Sequence, residues 1–240
     1  MSDAMSGARP FVVAIDGPAA SGKSSTAHWV AERLGVRHVD SGALYRAATY
    51  LACQHAGEPD EWTEPTVVAL AERVTLAPVE GGFEPLVDGQ PAGDTIRGPD
   101  VTRQVSRVAQ MPAIRTWVNA QVRRAAESHD VVVDGRDIGT VVFPDAQLKV
   151  FLVADPWERA RRRLLQRLGR RPSEDEIADE TERLVQRDAK DAIQTVQAKD
   201  AVLIDTTYLT QPEQVDRIVA LARAVTQRGS ETSPVDDHAP

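Results

Sequence analysis

Short, nearly continuous apolar runs alternate with stretches of helical period along most of the chain. Phe11-Val12-Val13-Ala14-Ile15 opens the series, and Val131-Val132-Val133, Leu148–Val153 and Ala201–Ile204 repeat it. Their lack of polar alternation is the mark of parallel strands covered on both faces. Behind the first run, Ala27, Val30, Ala31 and Leu34 recur at helical spacing, and Gly35 is placed to end that helix. Strands alternating with helices predict an α/β fold on a parallel sheet.

One stretch breaks the rhythm. Val74–Val79, Phe83–Val87 and a short piece at Gln90–Ala92 are separated by Gly81-Gly82 and Asp88-Gly89. Glycine accepts the positive φ of tight hairpin turns, so this predicts a small antiparallel insert. Helices over Pro99–Gln110 and Pro112–Ser128 follow, each opening at a proline. Glu158–Glu182 reads as one charged helical stretch with its signs segregated: Arg159, Arg161, Arg162, Arg163, Arg167, Arg170 and Arg171 precede Glu174, Asp175, Glu176, Asp179, Glu180 and Glu182. Residues 1–9 and 228–240 are small and polar, and are expected to be unstructured tails around a domain spanning 10–227.

Composition narrows the function. Across 240 residues, 28 Lys+Arg meet 36 Asp+Glu, a net charge of −8, which speaks against nucleic acid or an anionic membrane as partner. No apolar run is long enough to cross a bilayer, no signal-peptide core is visible, and the single cysteine, Cys53, fits a reducing cytoplasm. The five histidines show no metal-ligand spacing and read as surface or packing residues. Arginine outnumbers lysine 24 to 4, and arginine is the side chain suited to a planar, two-pronged grip on phosphate.

Chemistry enters at Gly17-Pro18-Ala19-Ala20-Ser21-Gly22-Lys23-Ser24, which fits G-x-x-x-x-G-K-[ST] between a predicted strand and a predicted helix. Glycines let backbone N–H groups turn around phosphate oxygens, and the new helix presents its positive end to the same anion. Lys23 would reach the β and γ phosphates and Ser24 would ligate Mg²⁺, which predicts a nucleoside triphosphate site. Asp134, at the end of the run Val131–Val133, is placed as the acidic group near that Mg²⁺, or else caps a turn. A phosphorylated acceptor would bring a second polyanion, whose repulsion fixed cations must offset. Arg159–Arg171, with seven arginines in 13 residues, supplies candidates. It reads either as a lid laid over the transferring group or as a solvated face paired with the acidic segment behind it.

Taken together, Gly17–Ser24, Val39-Asp40-Ser41-Gly42-Ala43-Leu44-Tyr45-Arg46 and Asp134-Gly135-Arg136-Asp137-Ile138-Gly139-Thr140-Val141-Val142-Phe143-Pro144-Asp145-Ala146 resemble bacterial cytidylate kinases, from about Phe11 to Ala224. The resemblance implies an α/β P-loop kinase. It would carry a five-stranded parallel sheet flanked by helices, a monophosphate-binding insert at about 62–110 and a helical arginine lid at about 158–190. It implies ATP with Mg²⁺ as donor, CMP and dCMP as acceptors, a cytoplasmic monomer, and no nucleic acid or membrane partner. Residue by residue, it places Gly17 to Ser24 and Ser25 on the donor and Lys23, Arg159, Arg162 and Arg163 at the transferred group. Ser41, Arg46 and Arg136 fall on the acceptor and its phosphate, with Asp134 beside them. Ser106, Arg115 and Asp137 fall on the cytosine edge, and Arg187 and Asp191 on the ribose.

One position departs from the family. Its pattern R-D-x-x-D-x-x-R, followed soon by Pro-Leu, reads here Arg187-Asp188-Ala189-Lys190-Asp191-Ala192-Ile193-Gln194, and no Pro-Leu follows. An uncharged amide thus stands where the family has a guanidinium. Three other readings remain open: the same scaffold acting on another acceptor such as UMP, a non-catalytic ATP-binding module, and, more remotely, RNA binding through the arginine run.

Overall fold

The computed structural model describes residues 9–231, with side chains placed for 9–227. The expected tails lie outside the described residues, except that Arg9 already pairs with Asp145 at 3.3 Å and the last helix runs on to Glu231.

Five parallel strands form the centre: β1 (Val12–Asp16), β2 (Arg37–Asp40), β6 (Val131–Gly135), β7 (Leu148–Val153) and β8 (Val202–Asp205), in the order β2-β6-β1-β7-β8. β1 and β6 are buried at every position, which is why their sequences carry no alternation. β2 was not foreseen as a strand. It carries Arg37, His38 and Asp40 and only Val39 is fully buried, so it has no apolar run to announce it.

Helices cover both faces. α1 (Lys23–Leu34) and α8 (Gln211–Glu231) pack on one, where Val30, Ile218, Ile15 and Leu152 meet. α2 (Ser41–His55), α3 (Glu64–Ala71), α4 (Pro99–Ala109) and α5 (Pro112–Ala126) pack on the other around Leu44, Leu51, Ile114 and Val133.

The antiparallel insert consists of β3 (Val74–Val79), β4 (Gly82–Val87) and β5 (Gln90–Pro91). It is not a separate unit: β4 joins the central sheet alongside β2 through the pair His38↔Gly82. A side chain at Gly82 would put its Cβ 2.9 Å from the His38 carbonyl oxygen, so glycine permits this junction.

The charged stretch is two helices, α6 (Pro156–Leu168) and α7 (Glu174–Asp191). Gly169 ends the first in the left-handed region, with φ +65°, and Ser173 caps the second in a reciprocal box with Glu176. The two helices share a small core of their own, Ala160, Leu164, Ile177 and Leu184, into which Ala19 also packs. Among the described residues, no helix is long and apolar enough to cross a membrane.

Candidate active site

A cavity of about 730 Å³ opens over the C-terminal ends of β1, β2 and β6, where parallel sheets place ligand sites. One wall is the loop between β1 and α1. Gly17 has φ +153°, and a Cβ there would lie 2.2 Å from the Leu152 carbonyl oxygen, so only glycine lets the chain leave the strand in this way. Gly22, φ +87°, precedes α1, and the Ser24 hydroxyl donates to the Asp134 Oδ2 at 2.5 Å. Ala19, Ala20, Gly22, Lys23, Ser24 and Ser25 line the cavity; Gly17, Pro18 and Ser21 do not.

Lys23 is buried, and its Nζ donates to the Pro18 carbonyl at 2.7 Å. Burial and the nearby Arg136 guanidinium push its ammonium well below its ordinary value. Burial alone would raise the Asp134 carboxyl, but hydrogen bonds from His38 at 2.8 Å and from Ser24 hold it below its ordinary value. His38 was read as a surface or packing residue; it belongs to the site's support. No sequence spacing signals it, because β2 and β6 become neighbours only in the sheet.

The opposite wall is built from side chains on several elements. Asp40 caps α2 and accepts from the Ala43 N–H at 3.0 Å. Ser41 donates to the Asp134 carbonyl at 2.7 Å, and one turn on Arg46 reaches the Thr102 hydroxyl at 3.2 Å. Ser106 comes from α4 and Arg115 from α5, and the Arg115 guanidinium pairs with the Asp137 carboxylate. Asp191 draws Arg187 and Arg136 together, its Oδ2 lying 3.6 and 3.7 Å from their Nε atoms, yet neither Nε has a hydrogen-bond partner. Burial and neighbouring guanidiniums lower Arg46, and burial with Arg136 brings Arg187 down to about 10. Cations so crowded, with buried N–H groups left open, are arranged for a polyanion.

The lid arginines divide. Arg162 and Arg163 face the cavity, Arg162 steadied by the Thr206 and Thr207 carbonyls at 2.6 and 2.9 Å and Arg163 by Glu180 at 3.1 Å. Arg159 does not line it: its guanidinium is buried against the back of the phosphate loop. Arg167 and Arg170 pair with Glu180 and Glu176, so the reading as a solvated face paired with the acidic segment describes these two, while Arg161 pairs with Glu158 on its own helix.

Asp40, Tyr45, Arg97, Asn119, Gln166 and Gln214 also line the cavity and were not singled out from the sequence. Asn119 and Gln214 are buried polar residues beside the apolar stripes of α5 and α8, and that position was the available signal. Gln194 lies on the wall next to Arg187 and Asp191.

The model for the family described as cytidylate kinase matches residues 13–224. A "Bifunctional pantoate ligase/cytidylate kinase" from Synechococcus sp. (strain JA-3-3Ab) is 42% identical over 228 residues, covering 92% of this chain and 42% of the relative. The chain thus spans less than half the length of that relative. A "Cytidylate kinase" from Lactiplantibacillus plantarum is 40% identical over 226 residues, covering 92% of this chain and 96% of the relative. A solved gluconokinase from Sinorhizobium meliloti 1021 overlaps it at a TM-score of 0.47 and 16% identity, covering 94% of this chain and 99% of the other. With the family model over almost the whole described chain and the relatives at this identity, the chain belongs to the cytidylate kinase family.

Proposed function

We propose that this protein transfers the γ-phosphoryl group of ATP to CMP or dCMP, giving ADP and CDP or dCDP, in the cytoplasm and as a monomer. The observation that carries the reading is the single cavity in which a phosphate loop faces Arg46, Arg136, Arg162, Arg163 and Arg187. Two polyanions must meet there, and the crowd of cations is what their meeting requires.

The donor triphosphate would lie along Ala19–Ser25 at the N-terminus of α1, with Lys23 on its β and γ phosphates. Ser24 and Asp134 fit a Mg²⁺ that arrives with ATP, since such ions take one or two carboxylate or hydroxyl ligands and complete the rest with phosphate and water. When bound, the ion neutralises charge on the β and γ phosphates. Arg46 and Arg136 would hold the acceptor phosphate, whose second pKa of about 6 leaves it already deprotonated at neutral pH, so no general base is called for. Arg187 and Asp191 would orient the ribose. Asp137, with Arg115 and Ser106, would read the cytosine edge, since a carboxylate accepts from the N4 amine and repels the O4 of uracil. Arg162 and Arg163 would lie over the transferring group and exclude water as the site closes.

A coupled ADP-release assay with CMP, dCMP, UMP and AMP tests the reading. Turnover with CMP and dCMP well above the others is expected. Turnover favouring UMP would overturn the cytosine role of Asp137, and ATP binding without any transfer would leave a binding module.

A further inference from the structure

Ala19, the third residue of the phosphate loop, is held from outside the loop on every side it offers. Its N–H donates to the Asp188 Oδ1 at 3.1 Å, and its carbonyl accepts from the Arg159 guanidinium at 2.8 Å. Arg159 and Asp188 are themselves paired at 2.6 Å. The Ala19 methyl packs with Ala160, Leu164, Ile177 and Leu184, the core shared by α6 and α7. A second Arg159 N–H ties it to the Ala154 carbonyl at 3.1 Å, so the guanidinium is anchored to the start of α6. Neither Arg159 nor Asp188 lines the cavity.

The next residue gives this a purpose. Ala20 has φ +57°, a left-handed conformation that costs an alanine roughly 1 kcal/mol or more and that a free loop would leave. Gly17-Pro18-Ala19-Ala20 carry no polar side chain, and from within the loop the Lys23 ammonium reaches only the Pro18 carbonyl, so the Ala19 peptide is held by groups from outside.

We propose that Arg159 and Asp188 are positioning residues: from the two lid helices they clamp the Ala19 peptide and so impose the anion-binding shape of the phosphate loop. Donor affinity then depends on two lid residues that never touch the donor, and the base of the lid moves with the loop rather than apart from it. The inference rests on the reading of Gly17–Ser24 as the ATP site.

The test uses the full chain and three variants. Arg159→Met keeps the buried stem and removes the guanidinium; Asp188→Asn keeps an acceptor for the Ala19 N–H and removes the charge; the double variant removes both. Three quantities are read: the Kd for ATP with Mg²⁺, the KM for CMP, and hydrogen exchange of amides 17–24 in nucleotide-free protein. Arg159→Met is expected to weaken ATP about tenfold, the equivalent of one disrupted charge-assisted hydrogen-bond set, with Asp188→Asn showing a smaller loss. The KM for CMP should stay within about twofold, since contacts on the acceptor are untouched. Exchange in 17–24 should quicken in each variant. The double variant should be no worse than Arg159→Met alone, because both act through one peptide.

Val215→Ala, in the core of α1 and α8, serves as the control for lost stability. If it raises the ATP Kd as much at an equal loss of melting temperature, or if loop exchange and ATP Kd in Arg159→Met match wild type, the proposal is overturned. If wild-type protein binds no ATP, the donor reading has failed separately, and exchange of amides 17–24 alone then decides whether the clamp exists.

Discussion

The two ends of the cavity are made of different material. At the donor end of the proposed site the contacts would be backbone N–H groups of one eight-residue loop, with Lys23 as the only cation contributed from within it. At the proposed acceptor end they would be side chains, Arg46 from α2, Ser106 from α4, Arg115 from α5, Arg136 and Asp137 beyond β6, and Arg187 and Asp191 from α7. Backbone contacts cost little to desolvate but hold their shape only if something outside fixes it. Side-chain contacts bring charge that is unfavourable until the ligand arrives, and the lowered Arg46 and Arg187 record that cost. A donor common to many enzymes is met by a generic loop, and a particular acceptor by a particular set of charges.

The strongest way to break this contrast is to delete the one cation on the donor side. Lys23→Ala is expected to lower kcat by about a thousandfold, the scale of removing a preorganised charge from a transition state. A loss under tenfold in a steady-state assay would mean that the acceptor arginines can carry the transferred charge alone.

Beneath the boundary of the two ends, Asp16 ties them together. It is buried and accepts from the Ile138 and Gly139 N–H groups, both at 2.8 Å, and burial raises its carboxyl to about 6. The unfolded chain releases this proton near 3.8 and the folded chain only near 6, so in that interval the folded form holds the extra proton. Stability from this group is therefore lost as pH rises through the window and stays lower above it, by about 3 kcal/mol. Denaturation of wild type and Asp16→Asn at pH 4 and pH 7 isolates it: whatever the variant's absolute stability, it should gain on wild type by about 2 kcal/mol at the higher pH, since pH 4 already lies just inside the window. Parallel pH profiles would place the carboxylate's charge in solvent.

On the acceptor side, Asp137→Asn replaces an acceptor by a group that also donates. The expected loss in kcat/KM for CMP is about thirtyfold, with UMP gaining ground and the KM for ATP unmoved, as the 1–3 kcal/mol of a base-edge contact implies. Equal losses for CMP and UMP would move base recognition elsewhere in the cavity.

The same contrast explains what could be read from the sequence. The donor loop is contiguous, its glycines and Lys23 sit at fixed spacing, and the flanking strand and helix are strongly periodic, so its placement followed from the residues alone. The acceptor residues are scattered over about 150 positions between Ser41 and Asp191, and only the resemblance named them. His38 was hidden because its partner, Asp134, is a neighbour across the sheet and not along the chain. Arg159 was placed with the other lid arginines by the resemblance, and its spacing of three and four residues from Arg162 and Arg163 puts all three on one helix face. In the structure it points at the back of the loop, and Arg162 and Arg163 at the front. The break at Gly169-Arg170-Arg171-Pro172 could have been read, since glycine followed by proline ends helices, but the continuous charge on both sides masked it.

Gln194 sharpens the comparison most finely, because it is an acceptor-wall position where charge is missing. It is half-buried at the turn after α7, its N–H bonded to the Asp191 carbonyl at 3.0 Å, and it shares the wall with Arg187. A guanidinium there would join cations that already lower one another, so Gln194→Arg should slightly destabilise the free protein. Once a phosphate dianion is bound the balance reverses: the added charge-assisted hydrogen bond is worth on the order of 1.5 kcal/mol, about a tenfold lower KM for CMP. Part of that gain is Coulombic, and it should shrink as salt is raised. The KM for ATP should not follow, because the phosphate loop lies at the other end of the cavity. A KM for CMP that stays at the wild-type value at low salt would show that this wall lies beyond reach of the acceptor phosphate, and that Arg46 and Arg136 suffice to hold it.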